Sequence, residues 1–166
     1  MLELATVADR ESINEIANQI HDMHVAWRPD IYESVAEQYS EERFAEAIKN
    51  RQLYVAKLAG TVAGFTALRK CTYELPGVVK RTVMIVDEFG VHELCRGHGI
   101  GKAMMEDIHA LARAYGCTDL QLRVYPQNDD AVGFYQRCGF EIQNIGMQKK
   151  IYREKPACDD SQAGFL

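Results

Sequence analysis

The segment Arg96-Gly97-His98-Gly99-Ile100-Gly101-Lys102 constrains this chain more than any other. Upstream lies an apolar run that reads as a strand. Downstream, Ile100, Met104, Ile108, Leu111 and Tyr115 recur at helical spacing, and Gly116 supplies the stop. A strand that becomes a helix through a glycine-rich turn lets another molecule come close to the backbone. The first turn of that helix adds N–H groups that no helical carbonyl accepts, and the positive end of the dipole. Such a junction is a seat for a diphosphate. Two familiar phosphate loops are excluded by spacing. In G-x-x-x-x-G-K-[S/T], Gly101-Lys102 would put Arg96 at the first glycine and Ala103 at the hydroxyl position. In G-x-G-x-x-G, Gly97 and Gly99 would put Lys102 at the third glycine.

A chain of 166 residues with 47% hydrophobic content supports one domain with a core and is too short for two. The net charge of −5, with no cluster of basic and aromatic residues, argues against nucleic acid as the main partner and suits a cationic substrate better. The five cysteines, an odd number without C-x-x-C spacing, fit neither a disulfide framework nor a zinc site, and imply reduced thiols. Neither a basic leader nor an apolar run long enough to span a membrane is evident. The expectation is a soluble, cytoplasmic protein without membrane contact.

Periodicity predicts strands over residues 2–6, 53–58, 62–70, 79–91 and 120–125. Helices are predicted after Asp9, after Ser40, through 100–115 and after Asp129. Residues 140–145 and 147–152 read as two closing strands around Gly146. The order implies an α/β (α+β) domain, a mixed sheet with helices on both faces, over residues 1–153, followed by a loose tail over 154–166.

A second pattern follows the loop: Asn128-x-x-Ala131-x-x-x-Tyr135-x-x-x-Gly139-Phe140. Together with R-x-x-G-x-G after a strand, it resembles the GNAT superfamily of acyl-CoA-dependent N-acyltransferases over roughly the whole chain before the tail. The resemblance implies a mostly antiparallel central sheet and acetyl-CoA as cofactor. It places the coenzyme's diphosphate on Arg96, Gly97, His98, Gly99, Ile100, Gly101 and Lys102. The pantetheine would lie along Phe89, Gly90 and Val91, with Asn128 and Ala131 beside it, and Tyr135 would protonate the leaving thiolate.

The acidic pair Asp87-Glu88 interrupts an otherwise apolar strand just before the loop. It is similar to the acidic pair of the diamine acetyltransferases, which implies Asp87 as base, directly or through a water, and Glu88 as a holder of the cationic substrate. The chemistry asks for such a group. An alkylammonium titrates near about 10 in water and must lose a proton before it attacks a thioester.

Trp27, Asp30 and Tyr32, in the irregular stretch after the first helix, are candidates for the acceptor pocket. No metal site is expected, because the histidine pair His21 and His24 lacks further ligands. The expected partners are acetyl-CoA and a small amine such as a polyamine, with a homodimer allowed by the resemblance. Two alternatives remain open: a protein or peptide amine as acceptor, and a non-catalytic acyl-CoA-binding module on the same fold.

Overall fold

The structure is a computed structural model that describes residues 2–151. Five strands stand in chain order across one sheet: β1 (Leu2–Leu4), β2 (Leu53–Leu58), β3 (Thr61–Tyr73), β4 (Arg81–Val91) and β5 (Asp119–Leu122). The first four pair antiparallel, whereas β5 lies parallel to β4. A parallel pair cannot be joined by a hairpin, and here the crossover is the helix that opens at the glycine loop. The β2–β3 hairpin turns through Ala59 and Gly60, both at positive φ (50° and 85°), the geometry of a tight two-residue turn.

Helices cover both faces. On one, α1 (Arg10–Trp27) and α2 (Glu41–Lys49) bury Ile13, Ile16, Phe44 and Ala47 against Leu53, Val55 and Phe65 of the sheet. On the other, α3 (Ile100–Ala114) sets Met105, Ile108 and Ala112 against Tyr54, Leu68, Met84 and Val86, and α4 (Asp129–Arg137) adds Phe134 and Tyr135. Leu53 and Val55 thus serve one core and Tyr54 the other, as the period of two in a strand requires. Burial on both faces explains why β2 and β3 read as continuous apolar runs rather than alternating ones. The expected mixed, mostly antiparallel sheet between two helical layers is what forms.

Three local expectations are corrected. Asp9 sits at the start of α1 but does not cap it with its side chain. Its carboxylate instead accepts the N–H and hydroxyl of Thr6, both at 2.8 Å, and pairs with Lys57 Nζ at 2.9 Å. The reason is a single helical turn over Val7–Asp9 that leads directly into α1. Asn128, rather than Asp129, caps α4: its Oδ1 accepts the Ala131 N–H at 3.2 Å.

The two closing strands expected after Gly139 are absent among the described residues. Residues 141–151 belong to no strand and are exposed throughout. Their apolar spacing favours an extended chain, yet a strand also needs a neighbour to exchange main-chain hydrogen bonds, and no described strand lies beside them. The last residue of the expected second strand, Tyr152, and the tail over 154–166 lie outside the described residues.

Gly64 of β3 lies where the sheet is pressed hardest by α3. A Cβ there would stand 2.6 Å from Met104 Sδ and 2.9 Å from the carbonyl oxygen of Gly90, and the latter is backbone that cannot move aside. Gly64→Ala is therefore expected to lower stability by about 1–3 kcal/mol. Urea unfolding should show a lower midpoint at unchanged slope.

Candidate active site

The site begins where β4 loses a neighbour. β5 pairs with residues 83–86 of β4 and no further, while β3 follows β4 to its end at Val91. The pairing with β3 slips at the same place: Leu68 faces Val86 and Ala67 faces Glu88, so Asp87 is an extra residue. A bulge sharpens the local twist and bends its strand. Beyond Leu122 the chain leaves the sheet and meets Pro126, which cannot donate to a ladder. The result is a cleft between the diverging ends of β4 and β5, with one edge of residues 87–91 free of any strand partner among the described residues.

The glycine loop stands at the mouth of this cleft. Gly97 and Gly99 have φ of 78° and 80°, a region that a side chain disfavours. Gly101 is different. A Cβ there would make ordinary contacts with Phe134 at 3.5 Å and Val91 at 3.6 Å, so the fold itself leaves room for one. The Arg96 side chain folds back, its Nε donating to the Val91 carbonyl at 3.0 Å, and so ties the loop to the end of β4. His98 is exposed.

The first internal bond of α3 runs from Ala103 N–H to Gly99, so the preceding N–H groups of Ile100, Gly101 and Lys102 have no helical acceptor. Helices α2 and α4 each carry two acidic residues in their first turns, but α3 carries none and has Lys102 there. A cation at the positive end of a dipole is unfavourable by itself and becomes favourable when an anion joins it. Further along, α3 and α4 leave a groove of ≈ 500 Å³ over Leu120 and Phe134, flanked by Lys102 and Arg137.

On the α4 side, Phe89 stacks on Phe134 with ring centroids 5.7 Å apart, and Tyr135 meets the edge of Phe89 at 6.2 Å. Burial among these rings pushes the Tyr135 hydroxyl up to about 12, so it keeps its proton at neutral pH. Among the described residues, that hydroxyl has no hydrogen-bond partner.

The acidic pair lies across β4, and its two members differ. Asp87 is gripped by Arg69 of β3 through two bonds of 3.0 Å, Nε to Oδ2 and Nη2 to Oδ1. Glu88 Oε1 accepts the Tyr39 hydroxyl at 2.9 Å and Arg43 Nη2 at 3.0 Å. Burial raises the Glu88 carboxyl above the usual glutamate range, opposed by the Tyr39 bond and the Arg43 charge. Tyr39, nearly inaccessible and facing Glu88, is pushed far above an ordinary phenol.

Beyond the pair, the end of α1 and the loop after it carry an aromatic group. His24 lies over Tyr32 at 5.4 Å and near Tyr125 at 5.5 Å, Trp27 lies 5.8 Å from His24, and the Tyr32 and Tyr125 hydroxyls share a bond of 2.8 Å. Burial and the neighbouring His21 lower the His24 pKa, which favours the uncharged ring. Asp30 is not a free anion: Arg28 holds both its oxygens and Lys150 adds a third bond at 2.9 Å, which pulls its carboxyl well below the usual range. Among the described residues, no cluster of three His, Cys, Asp or Glu is disposed to hold a metal ion.

The structure thus places Asp87, Glu88, Phe89, Gly90 and Val91 on the stretch of β4 that β5 does not reach, with Phe89 against Phe134 and Tyr135 and with the loop tied to Val91 through Arg96. It gives Asn128 a helix to cap, and it commits Asp30 to a salt bridge. Arg43, Arg69 and Tyr125 were not legible as site residues. Each reaches the site through strand register or loop closure, and the only local signal was an aromatic residue just before Pro126.

A family model described as "Acetyltransferase (GNAT) family" matches residues 17–140. The uncharacterized N-acetyltransferase YdgE of Bacillus subtilis (strain 168) is 35% identical over 63 residues, which is 38% of this chain and 40% of the relative's own length. Among solved structures, a mutant of the BH1408 protein from Bacillus halodurans aligns with a TM-score of 0.87 at 26% identity, over 92% of this chain and 99% of that one. The aminoglycoside N-acetyltransferase AAC(6')-Iy, solved in complex with CoA, aligns with a TM-score of 0.61 at 14% identity over 94% of this chain and 100% of that one, a likeness of fold alone. No helix of the described residues is long and apolar enough to cross a membrane.

The cap on α4 sets where Tyr135 stands, two turns along. Asn128→Ala should cost about 1 kcal/mol of stability through the lost bond to Ala131, and Asn128→Asp should restore most of it. Thermal denaturation of the two variants checks the assignment, and equal melting of both with the parent would refute it.

Proposed function

The chain belongs to the GNAT acetyltransferase family, and we propose that it moves the acetyl group of acetyl-CoA to the primary amine of a small molecule, directly, within a ternary complex. The observation that carries this reading is the cleft beside the free edge of residues 87–91, with an anion-ready helix start at its mouth. An extended pantetheine can pair with that edge as an added strand, and its N–H groups can polarise the thioester carbonyl. Gly101, where the fold itself would accept a side chain, fits close approach by a diphosphate. The groove between Lys102 and Arg137, in which Glu106 pairs with Lys102 at 3.8 Å, offers two cationic side chains to the nucleotide end.

In this reading Tyr135 faces the departing sulfur. Its raised pKa keeps it a donor, and its hydroxyl has no described competitor for that role. For the base we favour Glu88 over Asp87. Burial makes Glu88 a stronger base than an ordinary carboxylate, while Asp87 is held in a two-point grip by Arg69 and is better suited to fixing that guanidinium. Arg43 and Tyr39 then act on the reaction through Glu88, as positioning residues.

The acceptor follows from the same pairing. A polyamine would seek unpaired carboxylates, whereas Asp87, Glu88 and Asp30 each face an arginine. This favours a second reading, an acceptor that carries one amine and an anionic group of its own. Acetyl-CoA consumption and thiol release against polyamines, amino acids, aminoglycosides and peptides decide among them. Saturable coenzyme binding without thiol release for any amine would leave a binding module.

Tyr135→Phe is expected to lower kcat about 100-fold while acetyl-CoA affinity stays unchanged. Equal turnover would remove Tyr135 from the mechanism. The acid limb of the kcat/KM profile should lie above the ordinary glutamate range, since Glu88 must lose its proton to act. Tyr39→Phe deletes a bond that favours the charged form, so the limb should move to still higher pH. Glu88→Gln should abolish the limb and Asp87→Asn should keep it. The reverse outcome would transfer the role to Asp87.

A further inference from the structure

The glycine loop has little packing of its own to hold it. A Cβ built at Gly97 or Gly99 meets no atom within 4 Å, so the direction of the loop depends on how its base is fastened. That base is the short stretch from the end of β4 at Val91 to Arg96, which contains a single helical turn over Glu93–Cys95. His92 opens the turn. Its N–H donates to the Ala63 carbonyl of β3 at 2.9 Å, and its ring Nδ1 accepts the Leu94 N–H at 3.3 Å. A backbone N–H can only donate, so Nδ1 carries the lone pair and the ring proton sits on Nε2. Nε2 in turn meets Glu15 Oε1 of α1 at 3.1 Å. One turn further along the same helix, Gln19 Oε1 accepts the Glu93 N–H at 3.2 Å. The His92 ring is thus engaged at both nitrogens and mostly buried, whereas the Glu15 side chain is 62% exposed.

Glu15 and Gln19 stand next in the chain to Ile16 and Ile20, the two residues of α1 that press on Gly90. One stretch of α1 therefore fixes two things: the end of β4 through Gly90, and the base of the loop through His92 and Glu93. We propose that His92 is a positioning residue for the coenzyme, setting the start of α3 at the right distance and angle from the free edge of β4. The proposal rests on the reading that acetyl-CoA spans these two places, with its diphosphate on the N–H groups of residues 100–102 and its pantetheine along residues 87–91. The arm between them has a fixed covalent length, so both ends bind well only where the protein holds the two places in register. A loop that swings by about one ångström still accepts a diphosphate, but it draws the thioester out of line with the edge of β4. His92 acts through the turn that it caps, without contact to the coenzyme. Arg96 also ties the loop to Val91, but by one bond of a flexible side chain, whereas the His92 ring is rigid.

The test compares a ligand that reaches both places with one that reaches the loop alone, and it needs no acceptor. Titration calorimetry of the full chain should show coenzyme A bound about 10-fold more weakly by His92→Phe. ADP, which carries a diphosphate without the arm, should bind as it does to the parent. Glu15→Ala removes one end of the bridge from an exposed position and leaves the cap intact, so it carries the test should His92→Phe not fold. It should weaken coenzyme A about threefold, again without effect on ADP. Glu15→Gln, whose amide oxygen can still accept from Nε2, should restore most of that loss. Equal losses for ADP and coenzyme A would overturn the proposal, because His92 would then only build the loop. Unchanged coenzyme A affinity in either folded variant would overturn it as well. Failure of the underlying reading looks different: the parent itself would bind no coenzyme A, and both ideas would fall together.

Discussion

A strand with a single neighbour has the main-chain groups of its other edge unpaired, and among the described residues β4 is in that state over residues 87–91. Nothing else in the molecule produces the site so directly. The departure of β5 opens the gap, and the extra residue at Asp87 bends β4 away at the same point. Because both effects fall within two residues, the sheet passes from closed to open almost at once. The same bulge puts neighbouring carboxylates within reach of partners on one side of the strand, where regular alternation would send them to opposite faces. Backbone opening and side-chain chemistry therefore have one structural origin.

The electrostatics of the cleft are more balanced than its sequence suggests. Two adjacent acids on a strand look like a negative patch, yet β3 contributes Arg69 to one and α2 contributes Arg43 to the other. What remains is not a field that gathers cations. It is one carboxylate, Glu88, whose proton affinity is raised by burial and by the Asp87 charge and lowered by a phenol bond and a guanidinium. Tyr39 adds stiffness, because it is packed between Phe44 and Phe65 and its backbone is bound on both sides by Asn14. Glu88 is thus held by a group that belongs to the core.

The parts of this protein that are legible in sequence are those whose causes are local. Helix spacing, the tight turn at Ala59-Gly60, the glycine loop and the α4 pattern are each encoded within about a dozen residues, and each forms where expected. The bulge is not local, because it exists only in the register between β3 and β4. Arg69 is invisible for that reason, and Arg43 because it depends on where α2 docks. Residues 141–151 show the converse. Their strand pattern is plain, but pairing is a property of two segments, and the sequence of one segment does not say where the other lies. Asp129 fails more modestly, since the preferred capping residue Asn128 beside it leaves the choice to the exact start of the helix, and Asp9 because the turn before α1 directs its carboxylate back to Thr6.

An open strand edge is also a mechanical problem, since β4 must keep its shape where no strand supports it from one side. Two glycines show how the fold answers. Gly90, inside the unpaired stretch, allows Ile16 and Ile20 of α1 to press on the backbone where a Cβ would collide with both. Gly64, on the neighbouring strand and paired with Val91, does the same for Met104 of α3 from the opposite face. Helices from both layers therefore clamp the end of β4 from above and below, exchanging in-plane support for out-of-plane support. Arg96 completes the arrangement by fastening the glycine loop to the Val91 carbonyl. The free edge is consequently a rigid feature rather than a frayed one. A ligand that pairs with it meets donors and acceptors already in position, with little ordering left to be done on binding.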